Sequence, residues 1–137
     1  MSGAAAGRGV EGSEPCPCGR GEPYDACCGP LHAGRAAPTA ERLMRSRYSA
    51  FALGLGEYLL LSWDPATRPA SMELDEAVVW KRLFIERVEA GGPFDAEGFV
   101  TFTAVGRGAE GRFEQRERSR FGRVDGRWVY TDGETAD

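Results

Sequence analysis

Residues 112–121, Arg112-Phe113-Glu114-Gln115-Arg116-Glu117-Arg118-Ser119-Arg120-Phe121, alternate between two faces with a period of two. A helix cannot keep that alternation, so the run predicts a β-strand, extended here to Gly111–Val124. Asp125-Gly126 follows, a strong two-residue hairpin signal, and Arg127 to Asp132 is the returning strand. Working back, Val79 to Ala90 and Glu97 to Gly106 read as two earlier strands, joined by Gly91-Gly92-Pro93 and by the stretch Gly106 to Gly111. Four strands with short connections make an antiparallel meander.

Upstream the period changes. Thr39 is a plausible N-cap after Pro38, and Glu41 stands in the first turn where the helix dipole favours an anion. Leu43, Met44, Tyr48, Phe51 and Leu55 form an apolar stripe at helical spacing, with Gly54 and Gly56 interrupting it. Glu57 to Trp63 is apolar almost all round and predicts a short buried helix ended by Asp64-Pro65; Ser71 to Ala77 is assigned another helical turn. Helices followed by a meander mean an α+β fold, with helices packed on one face of a curved antiparallel sheet.

The strand at 111–124 carries one anomaly. If its arginine face is solvated, Gln115, Glu117 and Ser119 point toward the helices, where burial is costly unless they are paired or wet. Arg47, at the margin of the apolar stripe, is a candidate partner for Glu117. Three readings stay open: an internal ion pair, a one-residue register shift, or a polar pocket between sheet and helices. The pocket reading nominates Arg47, Tyr48, Trp63 and Glu117, with Asp64 joining if the second helix ends at the pocket mouth.

The chemistry is most tightly constrained near the front, where Cys16-Pro17-Cys18 and Cys27-Cys28 contain every cysteine of the chain. Residues two apart in an extended segment project to one side, Pro17 pre-shapes the clip, and Gly19 and Gly21 allow a reversal. Cys27 and Cys28 must sit in a turn or a helix start to share one ligand. Four sulfurs this close predict one structural tetrathiolate zinc site with no open position for catalysis. Cross-paired disulfides, a thiol redox pair, and replacement of one thiolate by the sole histidine, His32, are the competing readings.

Composition narrows the classes. A formal charge of −4 argues against a general nucleic-acid or anionic-membrane partner. Lys81 is the only lysine among 17 basic residues, which reads as coding bias. No apolar run approaches the ~20 residues that span a bilayer, and the N-terminus lacks signal-peptide character; the expectation is a cytoplasmic protein. The expected organisation is a disordered tail at 1–14, a cysteine knuckle at 15–31 and a main domain at 32–134.

Cys16-Pro17-Cys18-Gly19, the spacing to Cys27-Cys28, and Gly29 resemble the zinc-binding SEC-C motif found at the C-terminus of the SecA preprotein translocase. Together with Leu43-Met44-Arg45-Ser46-Arg47-Tyr48-Ser49-Ala50-Phe51, Tyr58-Leu59, Trp63, Pro65, Glu117-Arg118-Ser119-Arg120-Phe121, Gly126, Trp128-Val129-Tyr130 and Asp132-Gly133, the order is similar to the YchJ family of uncharacterised bacterial proteins. The resemblance implies a zinc knuckle joined to a cone-shaped, cystatin-like domain of the nuclear transport factor two and ketosteroid isomerase superfamily. It implies no reaction. SEC-C knuckles are typically lysine-rich between the cysteine pairs; Glu22 and Asp25 stand there in this chain and weaken any ribosome- or RNA-contacting role. Some YchJ relatives carry a second knuckle, whereas this sequence has cysteines for one zinc site.

The functional expectation is a non-enzymatic module that presents its knuckle to another protein, with Tyr24 and Gly29-Pro30-Leu31 as contact candidates. The alternative is a small-ligand binder or enzyme working in the cone. A nucleic-acid role would have to use the row Arg112, Arg116, Arg118 and Arg120, which Glu114 interrupts; a homodimer across the outer sheet face would use the same row.

Overall fold

A computed structural model describes residues 10–136 of the chain. Within them a 3-10 turn (Tyr24–Ala26) leads into the short helix α1 (Cys28–His32), then α2 (Ala40–Leu53) and α3 (Gly56–Leu61). The strands β1 (Val79–Ala90), β2 (Gly98–Gly108), β3 (Gly111–Val124) and β4 (Arg127–Thr135) form one antiparallel sheet in the order β1-β2-β3-β4. The fold is α+β, with the helices on one face of the sheet and the cysteine knuckle against α2.

The register of β3 is the one its alternation dictates. Gln115, Glu117 and Ser119 stand opposite Ala104, Phe102 and Val100 of β2, the buried residues of the inner face. The reading that required a shifted strand is therefore not what the chain adopts. The outer face carries the arginine row, and neighbouring carboxylates take it up: Arg116 with Glu86 at 2.7 Å, Arg118 with Glu89 at 3.2 Å, Arg120 with Asp132 at 2.9 Å, Arg112 with Glu114 at 2.9 Å. A nucleic acid would have to compete with these carboxylates for the same guanidiniums.

The β3–β4 connection has positive φ at both central residues, Asp125 at 52° and Gly126 at 81°, the type I′ pattern that matches strand twist. On α2, the Thr39 hydroxyl accepts from Arg42 N at 3.1 Å and caps the start, while Gly54 with φ 78° ends the helix in the left-handed conformation. This corrects the expectation that α2 continues to Leu55. The following helix is also shorter than expected. It stops at Leu61, and Trp63 lies in an extended bridge beside Tyr130. Nor is α3 buried all round: Leu59 is fully enclosed but Leu61 is 73% exposed. Ser71–Ala77 forms no helical turn. Asp75 instead accepts from Ala77 N through its carboxylate and from Val78 N through its carbonyl, a local turn that competes with helix.

The knuckle packs into the main body, and the described residues before it pack on the knuckle. Residues 1–9 lie outside the described residues, but Gly12 O accepts from Asp25 N and Glu14 O accepts from Tyr24 N, so the end of the expected disordered tail folds against the knuckle. All four cysteines share one buried cluster with Leu31, Leu43, Tyr48, Val100, Phe102, Phe121 and Trp128. Among the described residues no helix is long and apolar enough to cross a membrane.

One close approach fixes α2 over the sheet. Ala40 N donates to Gly91 O at 2.9 Å, and a Cβ on Gly98 would stand 2.4 Å from Gly91 Cα and 3.3 Å from Ala40 Cβ. Gly98→Ala should therefore destabilise the protein by ~1–3 kcal/mol, as overpacked core substitutions do. Gly122→Ala, which meets only Thr131 Oγ1 at 3.5 Å, should change stability far less. Urea unfolding midpoints of the two variants check the contrast.

Candidate metal centre and the cavity beneath it

The knuckle is built by backbone geometry. Cys16 N donates to Glu22 O at 2.9 Å and Gly19 N to Cys16 O at 3.1 Å; Gly19 and Gly21 take φ of 79° and 98° to close the loop. The second cysteine pair meets the first because Cys27 caps α1 and Cys28 opens it, turning both sulfurs inward. No disulfide forms, and all four thiols are buried. Their sulfurs lie within 4.8 Å of one another, with Cys18 and Cys27 3.5 Å apart and Cys27 and Cys28 4.0 Å apart. A tetrahedral ion with ~2.3 Å metal–sulfur bonds would hold sulfurs ~3.8 Å apart, so the set fits one such ion.

The electrostatics make the same demand. Hydrogen bonds from the Cys18 and Cys28 thiols hold the Cys16 thiol far below the ordinary thiol range. The partners bear the consequence: that same contact pushes Cys18 up to about 11 and raises Cys28 as well. Four thiolates cannot ionise together at this spacing unless a cation neutralises them.

Helix α2 supplies the outer contacts at i, i+3 and i+7. Arg42 Nη2 donates to Cys27 O at 3.2 Å and Arg45 Nη1 to Cys18 O at 3.1 Å, with Arg45 held by Glu41 at 2.9 Å. Ser49, fully buried, places its hydroxyl 3.4 Å from Cys28 Sγ and 3.6 Å from Cys16 Sγ. These roles of the α2 segment are absent from the sequence reading. The signal was available in the spacing of Arg42, Arg45 and Ser49, which leave the apolar stripe for a different face.

His32 is not among the ligands. Its Nε2 donates to Ser46 O at 2.8 Å, so Nδ1 is the acceptor for the Tyr24 hydroxyl at 2.7 Å. Tyr24 is thereby turned into the molecule, its ring against the Gly29 backbone, and Leu31 is buried. Tyr24 stays half-buried, whereas Leu31 is enclosed and offers no outward contact.

The nominated pocket residues separate into two groups. Arg47, Trp63 and Glu117 line one cavity of about 120 Å³, together with Met44, Phe51 and Phe102. Tyr48 is not part of it. It is buried edge-on against Trp80 with ring centres 6.1 Å apart, and burial pushes its hydroxyl up to about 12. Asp64 is a turn residue whose carboxylate accepts from Ala66 N at 2.9 Å. Arg47 does not touch Glu117: its Nη1 donates to Leu59 O at 2.8 Å and Ser62 Oγ at 2.6 Å, and its guanidinium lies 4.5 Å from the Tyr130 ring centre and 5.1 Å from that of Trp63. Glu117 accepts from Ser119 Oγ at 2.7 Å, Tyr130 OH at 3.3 Å and Gln115 Nε2 at 3.3 Å. A larger cleft of about 430 Å³, not foreseen from sequence, opens between residues 34–37, α3 and the β3–β4 hairpin.

Two outcomes follow. Ser49→Ala should weaken metal retention by ~10–100-fold, the usual loss when a ligand's supporting hydrogen bond is removed; competition with a chromophoric chelator measures it. Burial lowers the affinity of His32 for a proton below its ordinary value of 6.5. The unfolded chain therefore binds the proton more readily, so this stability term is intact above pH ~6.5 and is lost as the pH falls below it. Melting temperatures of the metal-loaded protein, wild type against His32→Gln, should diverge in slope on that acid side.

The comparisons agree with this architecture. A family model described as the YchJ middle NTF2-like domain matches residues 39–133, and a SEC-C motif model matches residues 13–30. A UPF0225 protein of Streptomyces coelicolor is 54% identical over 124 residues, covering 90% of this chain and 97% of its own length. One from Corynebacterium efficiens is 55% identical, covering 89% and 94%. The solution structure of a SEC-C motif containing protein from Rhodopseudomonas palustris superimposes with a TM-score of 0.78 at 35% identity, covering 90% of this chain and all of that one. A crystal structure of a SEC-C motif containing protein from Psychrobacter arcticus, 24% identical, shares the fold with a TM-score of 0.74 over 92% of this chain and 85% of that one. With its SEC-C knuckle packed on an NTF2-like domain, this chain belongs to the YchJ family of UPF0225 proteins.

Proposed function

We propose that the chain is a non-enzymatic interaction or scaffold module whose front end is organised by one structural zinc ion bound to Cys16, Cys18, Cys27 and Cys28. The observation that carries the reading is the closed sulfur set, four buried thiols within 4.8 Å of one another. Tetrahedral all-sulfur coordination favours zinc over hard cations, and four protein ligands leave no position for a reacting water. Binding of this kind contributes on the order of 10 kcal/mol to a small module. Here it would also hold the knuckle against Arg42, Arg45 and Ser49 of α2. The exposed loop Gly19-Arg20-Gly21-Glu22-Pro23 between the cysteine pairs is the surface offered to a partner protein. Buried reduced thiols are consistent with a cytoplasmic setting.

Protein purified without added metal should contain one zinc per chain by elemental analysis, and chelation should lower its melting temperature sharply. Cys27→Ser with Cys28→Ser should abolish the metal and, in affinity capture from a cell extract, the specific partners. A metal-free wild-type protein, or a partner set unchanged by the double variant, would contradict the reading.

A further inference from the structure

Arg47 is the only charged side chain in the buried core of the described residues, at 5% exposure. No carboxylate comes within ion-pair distance of it. Only its Nη1 has acceptors; Nε and Nη2 have none among the described residues. Glu117 faces the same cavity and likewise makes no ion pair, being held by the neutral donors Ser119, Tyr130 and Gln115.

Removing a cation from water costs several kcal/mol unless a well-placed anion or set of acceptors replaces the lost hydration. The two aromatic faces and two oxygens that meet Arg47 answer part of that demand. Half of its donor fork remains open, and a guanidinium fork matches a carboxylate in bidentate fashion. The half-buried Glu117 carboxylate lines the same cavity and is the anion available there to a cationic donor. The remaining wall is apolar: Met44, Phe51, Met72 and Phe102.

Size restricts what can answer both ends. A volume of about 120 Å³ leaves room for a molecule of a few heavy atoms. Nucleotides and drug-sized ligands occupy pockets of ~300 Å³ or more. We propose that this cavity binds a small zwitterion of the amino-acid class, its carboxylate on the open fork of Arg47 and its ammonium on Glu117, with a short side chain against Met44 and Phe102. Burial lowers the Arg47 guanidinium to about 10, which still leaves it charged at neutral pH. The inference goes beyond the scaffold reading and is independent of the metal, since neither Arg47 nor Glu117 contacts a cysteine sulfur.

The test titrates the metal-loaded full chain with glycine, L-alanine and L-serine, using acetate and ethylamine as single-charge controls. Calorimetry gives the affinity, and NMR follows the Trp63 indole and Arg47 Nε–H signals. The expected result is saturable one-to-one binding of L-alanine, about tenfold or more tighter than either control, with Glu117→Gln reducing it about tenfold while metal content and circular dichroism stay unchanged. The selectivity among probes in the wild type decides the matter even if the variant fails to fold. Absence of saturable binding by all three amino acids, meaning that water alone fills the cavity, would overturn the proposal. So would acetate binding as tightly as L-alanine, or L-alanine binding that a folded Glu117→Gln variant leaves unchanged.

Discussion

Four sulfurs confined within 4.8 Å cannot all carry charge in a protein interior, and the front of this molecule is arranged around that constraint. Without a cation the thiols must share protons unequally, and the opposed shifts of Cys16 against Cys18 and Cys28 record that conflict. A single divalent ion resolves it. Because the same sulfurs belong to the buried cluster that contains Leu43, Tyr48, Phe121 and Trp128, an ion held by them would be coupled to the main domain.

Helix α2 is the mechanical link. Its knuckle-facing residues grip the cysteine loops, and its sheet-facing residues Met44, Arg47 and Phe51 roof the inner cavity. One 14-residue helix thus carries two kinds of polar work on separate faces. Ser46 bridges them: its carbonyl accepts from His32 Nε2, and its hydroxyl meets Tyr58 OH at 2.7 Å. That division explains why the segment Leu43 to Phe51 is dense in hydrogen-bonding side chains although much of it is buried. Ser46, Ser49 and Arg45 each have a defined hydrogen-bond partner, and the open donors of Arg47 carry a functional inference.

Much of this was legible in the residues. The period-two alternation of β3 placed Gln115, Glu117 and Ser119 on the helix-facing side, where Ser119 is buried, Glu117 half-buried and Gln115 exposed at the open end, and Asp125-Gly126 located its turn because only a few residue types tolerate two successive positive φ values. The cysteine spacing indicated one shared site. The failures have physical causes. The end of α2 turned on Gly54 adopting the left-handed conformation, and the end of α3 on the backbone bonds of Ser62 and Asp64 to Tyr130, neither of which composition alone dictates. Leu61 was expected to be buried because apolarity was taken as burial, yet it stands beside an open cleft. Tyr24 and His32 were read one at a time, whereas their roles come from a hydrogen-bond chain to Ser46 that joins segments 14 residues apart. Long-range pairing of that sort leaves no local pattern.

The account stands or falls on the metal environment, and X-ray absorption at the zinc edge of the purified protein examines it most directly. The account predicts a first coordination sphere of four sulfur atoms at about 2.3 Å with no nitrogen or oxygen contribution. A sphere containing a nitrogen or oxygen ligand, or a sample whose cysteine sulfurs are paired as disulfides around no metal, would contradict it.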